Sequence, residues 1–160
     1  MAVDTTKVER RVLRFQHLDQ VLAEVDRLAA AERGGTLVHT GNWTLGQSLG
    51  HLAYWASAAF TGLPLNVPWY IRLVVRLSKY RYLRGPLPAG VNIPHVEGGT
   101  LGIEPLAMEE GLRRYQQALE RLAEQCPQEP NILFGKLTHP QWIALNLRHA
   151  ELHLGFMDIR

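Results

Sequence analysis

The chain has 160 residues, of which 46% are hydrophobic and 20% are charged, and its formal net charge is +2 with neutral histidines. This length fits one domain with a substantial core, which we take as residues 1–160. The near balance of charges excludes a strongly basic nucleic-acid-binding protein, although the isoelectric point of the sequence is about 8.9.

The single cysteine and the absence of long apolar runs predict the cellular compartment. Cys126 is the one cysteine, so no internal disulfide can form, and this fits a reducing environment. The first residues, MAVDTTKVERRV, are charged and lack the apolar core of a signal peptide. No run of about 18 uncharged apolar residues occurs. We therefore expect a cytoplasmic protein without a membrane span.

The first half of the chain contains two helical patterns. Apolar residues recur at helical spacing from Phe15 to Arg33, and Gly34-Gly35 ends this first helix. The second helix opens with the capping-box pattern T-x-x-Q, from Thr44 to Gln47, and extends to about Phe60. It carries no charged residue, which predicts burial on almost all sides.

Residues 61–104 are rich in proline and glycine, and only a short helix at about 69–83 interrupts them. A third long helix follows, from Pro105 to about Cys126, before Pro127 and Pro130. With a fourth helix at 138–158, the pattern predicts an all-α four-helix bundle with a long insertion between helices 2 and 3.

The fourth helix, from Thr138 to Asp158, carries His149 and His153 four residues apart. This spacing puts the two imidazoles about 40° apart around the helix axis, so both can converge on one ion. The alternatives are surface histidines and core histidines bonded to the backbone. The pair is not the zinc-protease motif H-E-x-x-H. Glu151 is expected to face away from the pair and to be solvated.

His51 lies on the uncharged second helix, where a buried imidazole needs a partner for each ring nitrogen. Hydrogen bonds could supply both partners. With an H-x-x-x-H helix elsewhere in a small bundle, however, an ion shared by the histidines is the better interpretation.

The block N-W-T-L-G-Q-x-x-x-H-L-A at residues 42–53, followed by R-H-x-x-x-H at residues 148–153, resembles the DinB/YfiT-like superfamily of metalloenzymes. More closely, it is similar to a branch classed as a domain of unknown function. The resemblance covers most of the chain and includes the order of the helices. It implies that His51, His149 and His153 bind a divalent metal, most often zinc or nickel.

The same resemblance bears on activity and assembly. Superfamily members include thiol-dependent S-transferases and a thiol-dependent isomerase, and the resemblance favours a homodimer. The 61–104 insertion is longer than the corresponding connection in the simplest members.

Other residues are weaker candidates for the site. Gln47 and Asn146 lie one turn before His51 and His149, and either could contact a ligand or a substrate, although a backbone hydrogen bond is the simpler role. His95 lies in a loop, IPHVEGG, that could fold over the site. We interpret the remaining histidines as ordinary polar residues and Cys126 as a packed or partly exposed thiol; these histidines are His17, His39 and His139.

Three histidines without a carboxylate leave coordination positions for water or substrate, as in catalytic zinc sites. The sequence thus predicts a divalent-metal-dependent enzyme with a small-molecule substrate, either a hydrolase or a transferase using a low-molecular-weight thiol. One alternative is a non-catalytic bundle stabilised by a metal or by a histidine cluster. Another is a module that docks an anionic partner through residues 69–84.

Residues 69–84 combine basic and aromatic side chains in a stretch without acidic residues. A surface helix packed by its apolar side is the favoured interpretation, so the segment is expected to pack on the bundle without touching the three histidines. The alternatives are a helix on a membrane surface and a lid for an acidic substrate or thiol.

Overall fold

The computed structural model describes residues 3–160, which are mostly helical, as predicted. Its six α-helices and two strands have the following bounds: α1 Leu18–Arg33, β1 Leu37–His39, α2 Leu45–Thr61, α3 Trp69–Leu77, α4 Lys79–Arg84, α5 Met108–Glu124, α6 His139–Leu154 and β2 Met157–Ile159. A 3-10 turn, Glu97–Gly99, lies between α4 and α5. Within residues 3–160, no helix has the length and apolar character needed to cross a bilayer.

The main core lies where the four longer helices turn their apolar sides toward one another. One residue from each of α1, α2, α5 and α6 illustrates this, since Val25, Leu49, Leu119 and Leu154 are at most 1% exposed. Full burial of such a side chain contributes about 1.5–3 kcal/mol to folding. This shared core holds α2 and α6, which carry the three histidines, in a fixed relation.

Two glycines let α2 approach α5 and the residues before it closely. A Cβ atom added at Gly46 would lie 2.1 Å from the carbonyl oxygen of Leu106, and one added at Gly111 would lie 2.7 Å from the carbonyl oxygen of Gly46. Real Cβ atoms do not make such contacts, so the two backbones meet where only glycine fits. Their contact limits how far α2 can move.

Both predicted capping boxes are present. The Thr44 amide donates to Gln47 Oε1 at 3.0 Å, and the Gln47 amide donates to Thr44 Oγ1 at 3.1 Å. The same pairing joins Thr138 and Gln141 at the start of α6. These bonds satisfy amides that the first helical turn leaves without backbone partners.

The two strands were not expected from the sequence. They pair antiparallel, with Leu37 opposite Ile159 and His39 opposite Met157. Strands of three residues carry too short an alternation to be told from a loop. Because residues 157–159 pair with β1, α6 ends at Leu154 and not at Asp158 as predicted.

Other helix boundaries also differ from prediction. α1 begins at Leu18 and not at Phe15. The side-chain oxygen of Gln20 accepts hydrogen bonds from the backbone amides of Gln16 and His17, and this caps the helix at His17. α5 begins after Ala107, whose φ of −65° and ψ of 143° are extended, so Pro105 precedes the helix.

The predicted helix at 69–83 is two helices, α3 and α4, separated at Ser78 (φ −93°, ψ 8°). α4 packs near α6, with Leu83 buried and the Tyr82 ring 5.7 Å from the Phe134 ring. α3 contains no buried residue. The expectation that the apolar side of the whole segment packs on the bundle is therefore wrong for α3.

Candidate metal centre

α2 and α6 bring three histidine side chains to one point. The Nε2 atoms of His51 and His149 are 3.2 Å apart, and those of His149 and His153 are 3.1 Å apart. Each of the three offers a ring nitrogen within 4.8 Å of the other two. No other group of three or more His, Cys, Asp or Glu residues in the described part of the chain meets this criterion. The expected convergence of the three histidines is confirmed.

The spacing of these nitrogens suits a small divalent ion. Around an ion with tetrahedral ligands at about 2.0–2.1 Å, neighbouring ligand nitrogens are about 3.3 Å apart. The two Nε2–Nε2 separations in the structure, 3.2 and 3.1 Å, are close to this value. Imidazole nitrogens suit both zinc and nickel, so the donor set fits either metal.

A backbone carbonyl fixes which nitrogen of His51 faces the cluster. His51 Nδ1 lies 2.7 Å from the carbonyl oxygen of Leu101, to which it donates a hydrogen. In the neutral ring this leaves Nε2 with a lone pair directed at His149. Leu101 belongs to the segment between α4 and α5, so this segment supplies the group that orients a histidine of α2. Sequence reasoning missed this contact, because any residue can supply a carbonyl.

Hydrogen bonds alone cannot satisfy both short nitrogen contacts of His149. A ring nitrogen either carries one hydrogen or offers one lone pair, but not both. If His149 Nε2 accepts a hydrogen bond from His153, its lone pair cannot also bind the lone pair of His51 Nε2. If His149 Nε2 instead carries a hydrogen, that single hydrogen must be shared between His51 Nε2 and His153 Nε2. A cation at the centre of the three nitrogens would satisfy all of them together.

The surroundings keep these imidazoles neutral. Burial lowers the pKa of His51 to about 4, although the bond to the Leu101 carbonyl opposes the shift. Burial, followed by the neighbouring His51 ring, holds the pKa of His149 well below its ordinary value. Burial is also the main cause of the lowered pKa of His153. Electrostatic repulsion from His149, His51 and Arg10 would oppose a proton on His153 and lowers its pKa further. Neutral imidazole is the form that binds metals.

Two tryptophans flank the cluster. The Trp43 ring stacks on His153, with ring centroids 5.1 Å apart and an interplanar angle of 11°. Trp55 lies edge-on to His149 at 5.9 Å, and its Nε1 donates to the carbonyl oxygen of Leu101 at 3.3 Å. His51 is buried, whereas His149 and His153 retain partial exposure. The cluster therefore has apolar walls and one side toward solvent.

Arg10 places a positive charge beside His153, and sequence reasoning did not single it out. Its guanidinium lies 5.7 Å from the centre of the Phe156 ring, three residues after His153. It also donates to the carbonyl oxygen of Leu87 at 3.4 Å. No carboxylate among residues 3–160 forms a salt bridge with it. This charge can attract an anionic group toward the partly exposed side of the cluster.

The weaker candidates have other contacts. The side-chain oxygen of Gln47 accepts a hydrogen bond from the Thr44 amide in the capping box. Asn146 Nδ2 donates a hydrogen bond to the carbonyl oxygen of Trp142 at 3.0 Å. His95 is exposed in its loop and has a positive φ of 64°. A role for these three residues at the site stays a prediction.

The remaining histidines and the cysteine lie outside the cluster. His139 Nε2 contacts the Leu122 carbonyl oxygen at 2.6 Å, and His39 Nδ1 lies 3.0 Å from Met157 Sδ. His17 is exposed at the start of α1. Cys126 is a partly exposed free thiol, as expected.

The solvated role expected for Glu151 is wrong. The Glu151 side chain is buried. Its Oε1 accepts a hydrogen bond from the Phe15 amide at 2.6 Å, and Arg148 Nη2 lies 2.8 Å from the same oxygen. Arg148 also donates to the carbonyl of Phe15. Residues before α1 cover this side of α6, which is why a carboxylate there loses contact with water.

Comparison with protein families gives one match. A family model described as a protein of unknown function (DUF1569) matches residues 7–160. No curated protein and no solved structure matches the chain. The family match includes all three histidines but carries no statement of what they do.

Proposed function

The chain belongs to the DUF1569 family of proteins of unknown function, and we propose from its histidine cluster that it is a divalent-metal-dependent enzyme. The observation that carries the proposal is the pair of Nε2 separations, 3.2 and 3.1 Å, among His51, His149 and His153. In this proposal the three histidines hold zinc or nickel. An ion so held would supply Lewis acidity and open positions for a nucleophile.

The fold supports the same proposal. We propose that α1, α2, α5 and α6 are the four helices of a DinB-like bundle and that residues 62–107 are its insertion. Their apolar residues form one core cluster, and the three histidines lie on the two helices that the superfamily resemblance names. The likeness rests on motif and helix order.

The chain's own residues would organise the reaction around this cluster. The Leu101 carbonyl orients His51, and Trp43 and Trp55 limit the access of water. Arg10 lies where it can attract an anionic group of a small-molecule substrate or thiol.

Between the two reaction classes, the donor set favours transfer to a low-molecular-weight thiol over hydrolysis. Within residues 3–160, no carboxylate joins the histidine cluster to act as a general base. A thiol, with an ordinary pKa of about 8.5, needs less help to ionise than water does. We therefore place the thiol-dependent transferase first and the metal-dependent hydrolase second.

An activity screen tests this ranking. Zinc- and nickel-loaded protein would be incubated with low-molecular-weight thiols and a series of alkyl halides, epoxides and esters, and the loss of free thiol and the release of acid would be followed. We expect metal-dependent thiol consumption that His149→Ala abolishes and that His17→Asn, at an exposed position outside the cluster, retains. Equal turnover by His149→Ala and the unmodified protein would reject the cluster as the active site.

A structural metal is the second candidate function, and the burial of His51 at 2% exposure favours it. A closed, fully ligated ion stabilises a fold without turnover. The partial exposure of His149 and His153 favours the enzyme instead. Metal removal separates the two candidates, because only a structural ion would be required for the helices to remain folded.

A further inference from the structure

α3 presents an apolar stripe to solvent. Five side chains on its outer face are more than half exposed: Trp69 69%, Tyr70 57%, Leu73 51%, Val74 63% and Leu77 80%. At 100° per residue they cover about 140° of the helix circumference. We call these five residues the α3 stripe. An exposed apolar patch of this kind marks an interaction surface.

Other parts of α3 and α4 contact the body of the protein. Val75, on the opposite side of α3, is half-buried, and Leu83 of α4 is buried at 6% exposure. The Arg76 guanidinium lies over Gly135, where an added Cβ atom would be 3.2 Å from Nε. The α3 stripe therefore points outward on the side opposite the half-buried Val75, and α3 leads into the packed helix α4.

Positive charge lies along one edge of the stripe and on the neighbouring helix α4. Arg72 and Arg76 are exposed and border one edge of it, about 60° and 20° around the helix from Trp69. Arg81 and Arg84 are exposed on α4. The chain has no acidic residue between Glu32 and Glu97. A partner of opposite charge with an apolar layer beneath it would complement both features.

We propose that the α3 stripe docks on the surface of a bilayer containing anionic lipid. In this arrangement α3 lies along the membrane plane, the stripe enters the boundary between headgroups and acyl chains, and the arginines contact lipid phosphates. Trp and Tyr rings favour this boundary. A helix of nine residues is about 14 Å long, so it lies on the membrane and does not cross it.

A second copy of the chain fits this face less well. A symmetric contact between two stripes would bring Arg72 and Arg76 of both copies along one seam. The segment from residue 33 to residue 96 offers no carboxylate to pair with them. Like charges placed so closely oppose association, whereas lipid phosphates would neutralise them.

Vesicle flotation with the full chain tests the proposal. Vesicles of phosphatidylcholine alone would be compared with vesicles that also contain phosphatidylserine, at low and high salt. We expect binding to the anionic vesicles that weakens with salt. The double variant Leu73→Ser, Leu77→Ser should bind about tenfold less, because it removes apolar surface from the contact. Arg72→Gln with Arg81→Gln should reduce binding to anionic vesicles selectively.

Control variants remove apolar side chains or charges outside the α3 stripe and test whether binding depends on the stripe itself. Val12→Ser with Val91→Ser removes two other exposed apolar side chains, at 97% and 63% exposure, and should bind normally. Lys7→Gln with Arg160→Gln removes two charges elsewhere and should have little effect. Trp69 fluorescence should shift to the blue on anionic vesicles, and Trp69→Phe should lose this shift.

Three outcomes would overturn the proposal. They are equal binding to both vesicle types, equal binding by the Leu73/Leu77 double variant and the unmodified protein, and a dimer in sedimentation that this double variant dissociates. The last outcome would assign the α3 stripe to a second copy of the chain. Circular dichroism should show unchanged helicity in each variant, since every substituted side chain is exposed.

Discussion

Glu151 lies two residues after His149, yet its buried contacts give it a structural role. It joins α6 to the segment before α1 by accepting a hydrogen bond from the Phe15 amide, at 2.6 Å, and it pairs with Arg148 of the same helix, at 2.8 Å. Burial raises the pKa of its carboxyl, and the Phe15 amide and Arg14 oppose this shift. A carboxylate in this position cannot reach the histidine cluster without leaving these partners.

Glu151→Ala should destabilise the protein and leave its metal content unchanged. The substitution leaves the Arg148 charge and the Phe15 amide buried without this partner, which costs about 3 kcal/mol. Glu151→Gln should cost less, because its amide oxygen can still accept from Phe15. Urea denaturation measures both, with the exposed Glu120→Ala as control. Loss of metal from Glu151→Gln at intact stability would contradict this role.

The lowered pKa values of the histidines predict how acid affects the metal-free protein. His51 has a pKa of about 4 in the folded chain, against about 6.5 when unfolded. Between these pH values the unfolded chain binds a proton that the folded chain excludes, so stability is lost as pH falls from about 6.5 toward 4.

His51→Gln should reduce this loss, because it removes one group that titrates differently in the two states. Denaturation of chelator-treated protein across this pH range measures the difference between the variant and the unmodified chain. Identical pH profiles for the two would show that the His51 pKa is not lowered in the folded protein.

Besides α2 and α6, the segment between α4 and α5 contributes most directly to the site. Leu101 supplies the carbonyl that orients His51, and the next residue, Gly102, has a φ of 75° and packs on Tyr54 of α2. An added Cβ atom at Gly102 would lie 2.6 Å from Tyr54 Cβ. The position of the carbonyl therefore depends on a glycine at residue 102.

Gly102→Ala should weaken metal binding about tenfold, because it displaces the carbonyl that fixes the His51 ring. Gly35→Ala is the matched control, since Gly35 has a similar φ of 70° but no atom within 4 Å of the added Cβ. Competition with a chromogenic chelator measures both affinities. Equal affinities for the two variants would show that the Leu101 contact does not tune the site.

Strong local signals made part of the structure predictable from the sequence. The capping boxes at Thr44 and Thr138 were readable because both partners lie within one helical turn. The His149–His153 pairing followed from helical periodicity alone. The convergence of His51 on the pair was inferred from its place on an uncharged helix of a small bundle and was supported by the family resemblance, because spacing does not show how two distant helices meet.

The features that were missed depend on contacts distant in sequence. The β1–β2 pairing joins residues 37–39 to residues 157–159, and Leu101 reaches His51 across 50 positions. The exposure of α3 was mispredicted for a related reason. Its apolar face has the pattern of a packed helix, and only the tertiary structure shows that nothing in residues 3–160 covers it.

For the whole molecule, the core and the histidine cluster are separable. The main core consists of apolar residues of α1, α2, α5 and α6 together with Phe15 and Met157, and it does not include the three histidines. Removal of the metal should therefore leave the helical circular dichroism signal intact while the thermal midpoint falls. At a free metal concentration of 1,000 times Kd, the lost stabilisation is about 4 kcal/mol.

Loss of helical signal at 25 °C on chelation would instead support the structural-metal alternative. His149→Ala serves as the reference, because it should show the lower midpoint with or without chelator. A midpoint that chelator lowers equally in His149→Ala and in the unmodified protein would place the stabilising ion elsewhere.

Metal content per chain tests the central claim most directly. Protein purified without a nickel column would be loaded separately with zinc and with nickel, desalted, and measured by inductively coupled plasma mass spectrometry beside His149→Ala and His17→Asn. The cluster predicts about one ion per chain in the unmodified protein and in His17→Asn, and almost none in His149→Ala. Absence of both metals from the unmodified protein, or full occupancy in His149→Ala, would contradict the claim that His51, His149 and His153 form a metal site.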